Sequence, residues 1–177
     1  MNKMPVETKQ DIYALLESIG ANRRLIRHLE LVGEAAEIIC EKISAYGVTF
    51  DQKLVELGVA AHDAGKIEYP QELDNPGNRH ELAGQALLLR NGIPPDIARC
   101  CLSHAQYGSM EVSFEELLVA LSDKLWKGKR DEALEMRVIE EIAIRVSKDR
   151  WDLFTDLDCA FEEIASSGDE RLGRSTR

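Results

Sequence analysis

The sequence predicts an all-α fold, a single-domain bundle of about seven or eight helices. Three observations carry this. Apolar residues recur at helical spacing nearly throughout, and no segment alternates as a half-buried strand would. Glycine, proline and asparagine fall between the periodic segments, where they punctuate helices. The chain has 177 residues, 44% hydrophobic and 31% charged, ordinary globular values for one domain with a real core.

The first helix is expected over 7–18, with Ile12, Leu15, Leu16 and Ile19 on one face. Gly20-Ala21-Asn22 breaks it, and Asn22 is a good N-cap for the next. The second and longest helix, 23–46, carries Leu25, Leu29, Val32, Ala36, Ile39 and Ile43 on its apolar face. His28 lies one turn from Leu25 and Val32 and faces the same interior. Gly47 ends this helix. The third runs from an N-cap at Asp51 through Leu54, Gly58 and Ala61 to His62. Pro70, Pro76 and Gly77 mark 67–78 as the longest loop, suited to the mouth of a site.

The fourth helix, 79–91, has His80, Ala83, Gly84, Leu87 and Leu88 on one stripe, and Gly92 stops it. Pro94-Pro95 opens a fifth, which places Ile97, Cys101 and His104 on one face. Tyr107-Gly108-Ser109 is a turn. Ser113 and Glu116 form a capping box for the sixth helix, whose inner stripe includes Ala120 and Asp123. Helices over 131–146 and 150–165 close the domain, expected to span 1–167 with its core at 23–130. The remainder, 168–177, reads as a polar, frayed C-terminal tail.

The totals exclude several classes. The net charge is −10, which repels the phosphate backbone of a long nucleic acid. It leaves room for a small phosphorylated ligand. No apolar run approaches the ~20 residues of a membrane span, and residues 1–10 lack a leader's apolar core. A cytoplasmic protein is expected. Cys40, Cys100, Cys101 and Cys159 have no C-x-x-C spacing, so all four are expected as buried thiols.

The chemistry centres on Ala61-His62-Asp63-Ala64-Gly65-Lys66, where a His-Asp dyad ends an apolar helix. A buried carboxylate needs a cation or donors to offset its desolvation. The four histidines, His28, His62, His80 and His104, each sit on or beside the apolar face of a different helix. One inward histidine is usually a core residue bonded to a carbonyl; four of four are harder to explain that way. With Asp63 and Asp123 they make six candidate ligands. Imidazole and carboxylate without thiolate suit a divalent transition metal. Iron or manganese comes first, with zinc, cobalt, nickel or magnesium as alternatives. One bridging carboxylate would let the set hold two ions, and such a pair activates a hydroxide and clamps a phosphoryl group.

Lys66, three residues past Asp63, is the expected phosphate contact, or else a cation that complements a helix end. Lys127 and Arg130 belong to the one dense basic run, a substrate rim or a solvated helix end. Trp126, Trp151 and Phe154 read as packing groups, and Tyr69 and Tyr107 as the better base-stacking candidates.

His28, His62-Asp63 and Asp123 together resemble the H…HD…D signature of the HD-domain phosphohydrolase superfamily. Residues 61–66 are similar to its H-D-x-G-K form, and His80 to Gly84 to its H-x-x-x-G helix. The resemblance covers 23–130. It implies an all-α bundle with a central metal site. His28, His62, Asp63 and Asp123 would hold one ion, and Asp63 would bridge to a second on His80 and His104. Asp63 and Lys66 would be the catalytic residues; Lys66, Lys127 and Arg130 would meet substrate. No G-Y-P follows His80, and Ser103 stands where the HD-GYP branch has a histidine, so hydrolysis of cyclic dinucleotides in that manner is not expected. A small phosphorylated substrate, a nucleotide first, is the expected partner. The rival class is a metal- or nucleotide-binding module without turnover.

Overall fold

Helical periodicity becomes ten α-helices among the residues that the computed structural model describes, 5–177. The first four residues, part of the segment read for a leader, lie outside the described residues. The helices are α1 (Lys9–Ser18), α2 (Arg23–Ala45), α3 (Gln52–Ala61), α4 (Arg79–Arg90) and α5 (Pro95–Ala98), then α6 (Cys100–Gln106), α7 (Phe114–Leu125), α8 (Glu132–Val146), α9 (Arg150–Ser166) and α10 (Gly168–Ser175). Eight of them have at least eight residues. No strand occurs among the described residues, and none of their helices is long and apolar enough to cross a membrane.

The predicted caps form. Asn22 accepts from the Leu25 amide at 2.8 Å, and Asp51 accepts from Leu54 at 3.0 Å. Ser113 and Glu116 make both bonds of a capping box. Each satisfies an amide that the first helical turn leaves unpaired. The expected fifth helix is instead two short helices meeting at Arg99, which keeps a helical backbone (φ −60°, ψ −27°). The expected loop at 67–78 contains one short 3₁₀ turn, Pro70–Leu73, and a second, Ala64–Ile67, leads into it.

The segment expected as a frayed tail is α10. Its composition is polar, but its anchors are specific. Gly168 packs on Gly128 so closely that a Cβ there would lie 2.3 Å from the Gly128 nitrogen. Arg171 is 4% exposed and donates to the Ile164 carbonyl at 2.8 Å and the Trp126 carbonyl at 3.4 Å. Arg174 grips Glu34 of α2 through two bonds of 2.8 and 2.7 Å. Charged hydrogen bonds, rather than an apolar stripe, dock this helix.

Two apolar clusters form the core. One joins α2, α7, α8 and α9 around Leu118, Leu121, Val138 and Phe161. The other joins α1, α3, α4 and α5 around Ile12, Leu16, Leu88 and Ile97. Helices α2 and α3 contribute to both: Val32 and Val59 to the first, Leu29 and Ala60 to the second. At roughly 1.5–3 kcal/mol for each large apolar side chain buried, these clusters fix α2, α3 and α7 firmly. Half of the polar centre, His28, His62 and Asp123, lies on the same three helices or at their ends.

Candidate metal centre

His28 rides the buried stripe of α2, and His62 caps the C-terminus of α3. Asp63 follows at the start of the 3₁₀ turn, Asp123 lies in the last turns of α7, His80 in the first turn of α4, and His104 on α6. All six are buried, none more than 9% exposed. The turn carrying Asp63 lies against α4 because two glycines permit it. A Cβ at Gly65 would sit 1.8 Å from the His80 carbonyl oxygen, and one at Gly84 would sit 2.8 Å from the Gly65 nitrogen. The glycines of the two motifs thus touch each other.

Asp63 stands in the middle, with its two oxygens turned to different groups. Oδ2 is 2.7 Å from His28 Nε2 and 3.5 Å from His62 Nε2. Oδ1 is 3.2 Å from His80 Nε2 and 3.6 Å from His104 Nε2. Asp123 Oδ1 lies 3.5 Å from His62 Nε2. The potential ligands fall into two sets, His28, His62, Asp63 and Asp123, and Asp63, His80 and His104. Within each set the ligand atoms lie within 4.8 Å of one another.

Three of the imidazoles are held by their other nitrogen. Nδ1 of His62 bonds the Val59 carbonyl at 2.7 Å, and Nδ1 of His104 the Cys100 carbonyl at 2.9 Å. Nδ1 of His80 is 2.5 Å from Glu72 Oε2. Donation from Nδ1 leaves Nε2 as a lone pair facing the centre. The centre has a polar deficit. His62 Nε2, His80 Nε2 and Asp63 Oδ1 are buried without a hydrogen-bond partner. His80 Nε2 and Asp63 Oδ1 lie 3.2 Å apart without forming a hydrogen bond. Orphaned buried atoms are costly, and these three, all of ligand type, fit divalent cations, His62 in the first set and His80 with Asp63 in the second.

The protein's own charges are tuned around this centre. Burial opposes charge on Asp63, but His62, His28, His80 and Lys66 outweigh it and hold the carboxyl well below its usual range. Asp123 is likewise low, because hydrogen bonding and charge from His62 overcome burial. Burial depresses His62 and His80 too, yet their carboxylate neighbours prevail and both rise above their ordinary value. Burial wins at His28, which falls, and at His104, pushed down to about 4.

Around the centre lies a cavity of about 500 Å³. Lys66 Nζ is 2.8 Å from Asp63 Oδ2, and Lys127 Nζ is 3.9 Å from Asp123 Oδ1. Both line the cavity. Arg130 does not. It bonds Glu135 twice at 2.8 Å, Asp158 at 2.6 Å, and Glu162. Gly128, at φ +79°, turns the chain between them, so neighbours in one basic run face opposite ways.

Tyr69 and Tyr107 do not line the cavity; Tyr107 donates to Asp131 at 2.6 Å. Trp126 does line it, with its ring edge-on to His28 at 4.9 Å between centroids. Cys40, Cys100 and Cys101 are buried as expected, and burial raises their thiol pKa values, that of Cys100 to about 12. Cys159 is exposed instead, on the outer face of α9. Sequence reasoning missed Glu72, the Arg24–Asp74 ion pair at the mouth, and the wall supplied by Leu172 and Ser175 of α10 and by its C-cap Thr176. Only the loop's position beside the dyad hinted at Glu72.

The HD domain family model matches residues 25–128, within two residues at each end of the span read from the motifs. The chain belongs to the HD domain family, which lies in a superfamily of metal-dependent hydrolases. Comparison with curated proteins and with solved structures finds no match.

Proposed function

We propose that this HD-family chain is a phosphohydrolase that cleaves a phosphoester or phosphoanhydride of a nucleotide or related small phosphorylated metabolite. The observation that carries the reading is Asp63, whose two buried oxygens face two separate sets of imidazoles. That is the arrangement a bridging carboxylate needs. Ions bound there, iron or manganese by preference, would lower the pKa of water and offset charge on a transferring phosphoryl group.

The chain's own residues do the rest. His28, His62 and Asp123 hold one side, and His80 and His104 hold the other. Lys66 shares Asp63 Oδ2 with His28. It turns its ammonium to a phosphoryl oxygen when the carboxylate is otherwise engaged. Lys127 stands at the rim, 34% exposed, and draws an anion toward the centre. Trp126 and Leu172 present apolar surface to the cavity and exclude water from one side. A cavity of about 500 Å³ admits a small metabolite.

The test is a phosphate-release screen with Mn²⁺ or Fe²⁺ against mononucleotides, dinucleotides and simple phosphoesters. Wild type releases phosphate from some of these, and Asp63→Ala does not. Equal release by the two proteins removes the reading.

A further inference from the structure

Of the three imidazoles anchored through Nδ1, two bond backbone carbonyls of their own neighbourhood, Val59 and Cys100. His80 alone is held by a charged group, and that group comes from another segment. Glu72 lies in the 3₁₀ turn Pro70–Leu73, and its side chain is 7% exposed. Besides His80 Nδ1, its carboxylate accepts from the backbone amides of Arg79 at 3.3 Å and His80 at 3.1 Å. Asn78, the N-cap of α4, makes no side-chain cap bond. Glu72 thus caps the helix from outside and complements its positive end. Gly77 clears the space: a Cβ there would lie 2.4 Å from the Glu72 carboxylate.

We infer that Glu72 is a positioning residue that sets the affinity of the second ion through His80. The inference rests on the two-ion reading above. A carboxylate on the far nitrogen fixes the ring and makes the near nitrogen a stronger ligand, and losing such a partner typically costs 10–100-fold in metal affinity. The first ion has no such tie, because none of its residues bonds the mouth segment. The second ion's affinity therefore depends on a turn that also forms the mouth, where Asp74 of the next step pairs with Arg24 of α2 at 2.7 Å.

The experiment is a Mn²⁺ titration of the metal-free full chain, followed by the electron paramagnetic resonance signal of free ion. Wild type takes up two ions. Glu72→Gln keeps size and an acceptor for the amides, and it weakens the second ion by about 10–100-fold while the first is unchanged. Gly77→Ala lies on the exposed turn and crowds the carboxylate. It gives the same selective loss and carries the test if Glu72→Gln fails to fold. Asp74→Asn loosens the same loop without touching His80, and it leaves both affinities in place. An unchanged second affinity in the Glu72 and Gly77 variants overturns the inference. So does an equal loss in Asp74→Asn, which would make loop tethering the cause. A wild-type chain that takes up a single ion overturns the two-ion reading and this inference with it.

Discussion

The two halves of the proposed metal centre share Asp63 but are built differently. His28, His62 and Asp123 come from α2, α3 and α7, the helices around which the apolar clusters form. His80 and His104 come from α4 and the short α6, and His80 is propped by Glu72 from the mouth. The first half is held by core packing, so it stays formed as long as the fold does. The second is held in part by one hydrogen bond from a surface turn. A site assembled this way has a permanent half and a conditional half, and its sensitivity to substitution should divide along the same line.

The largest effect is expected where the halves meet. Asp63→Ala removes a ligand from both sets, so metal uptake fails on both sides and phosphate release falls to the metal-free background. Titration of bound metal with parallel phosphate release checks this. Retention of one tightly held ion would show that Asp63 does not bridge.

Next come the substitutions that separate the halves. His104→Ala should lower the metal content from two ions to one, with the helical circular dichroism unchanged. Asp123→Asn should weaken the other ion and leave the His80 side occupied. Elemental analysis after gel filtration distinguishes them. If each variant loses both ions, the halves are not separable.

Gly65→Ala probes the contact that joins the halves. Its Cβ would meet the His80 carbonyl oxygen at 1.8 Å. Helix α4 must move, at a cost of about 1–3 kcal/mol or more, read as a lower unfolding midpoint. The second ion should weaken more than the first.

Acid should loosen both halves together, because each contains one imidazole that is raised and one that is lowered. Ligation needs neutral imidazole. In the metal-free protein His62 and His80 titrate above the ordinary 6.5, whereas His104 stays neutral down to about 4. As pH falls through the raised values, protons compete at His62 and His80 first. Each ion then loses about tenfold in affinity per pH unit. Isothermal titration at stepped pH reads the slope; a flat profile between about pH 5 and 6.5 contradicts it.

The smallest effect belongs to the basic run. Lys127→Ala should raise KM several-fold at unchanged kcat. Arg130→Ala should leave both constants unaltered, since its guanidinium serves Glu135, Asp158 and Glu162. The loss falls on stability instead, because Glu135, with a side chain 6% exposed, is left without its bidentate partner.

How far the sequence discloses this arrangement follows from which forces built each part. His28, His80 and His104 were legible because helical period alone assigns a side chain to the inner face. His62-Asp63 was legible because a charged dyad cannot end an apolar helix without a partner. Lys127 and Arg130 could not be told apart, because a single left-handed glycine between them decides their directions. Glu72 was hidden in a segment without periodicity, and its bond to His80 exists only once α4 and the turn meet. Helix α10 was misread because charged bonds dock it where an apolar stripe was sought. Splitting of the fifth helix at Arg99 left His104 on the inner face, so that error did not reach the site.

The central claim is that Asp63 joins two ions. Anomalous diffraction from crystals of the protein grown with Mn²⁺ addresses it directly. The account predicts two peaks roughly 3.5–4 Å apart, one beside His28, His62 and Asp123, the other beside His80 and His104, with an Asp63 oxygen toward each. A single peak, or two that Asp63 does not connect, would contradict it.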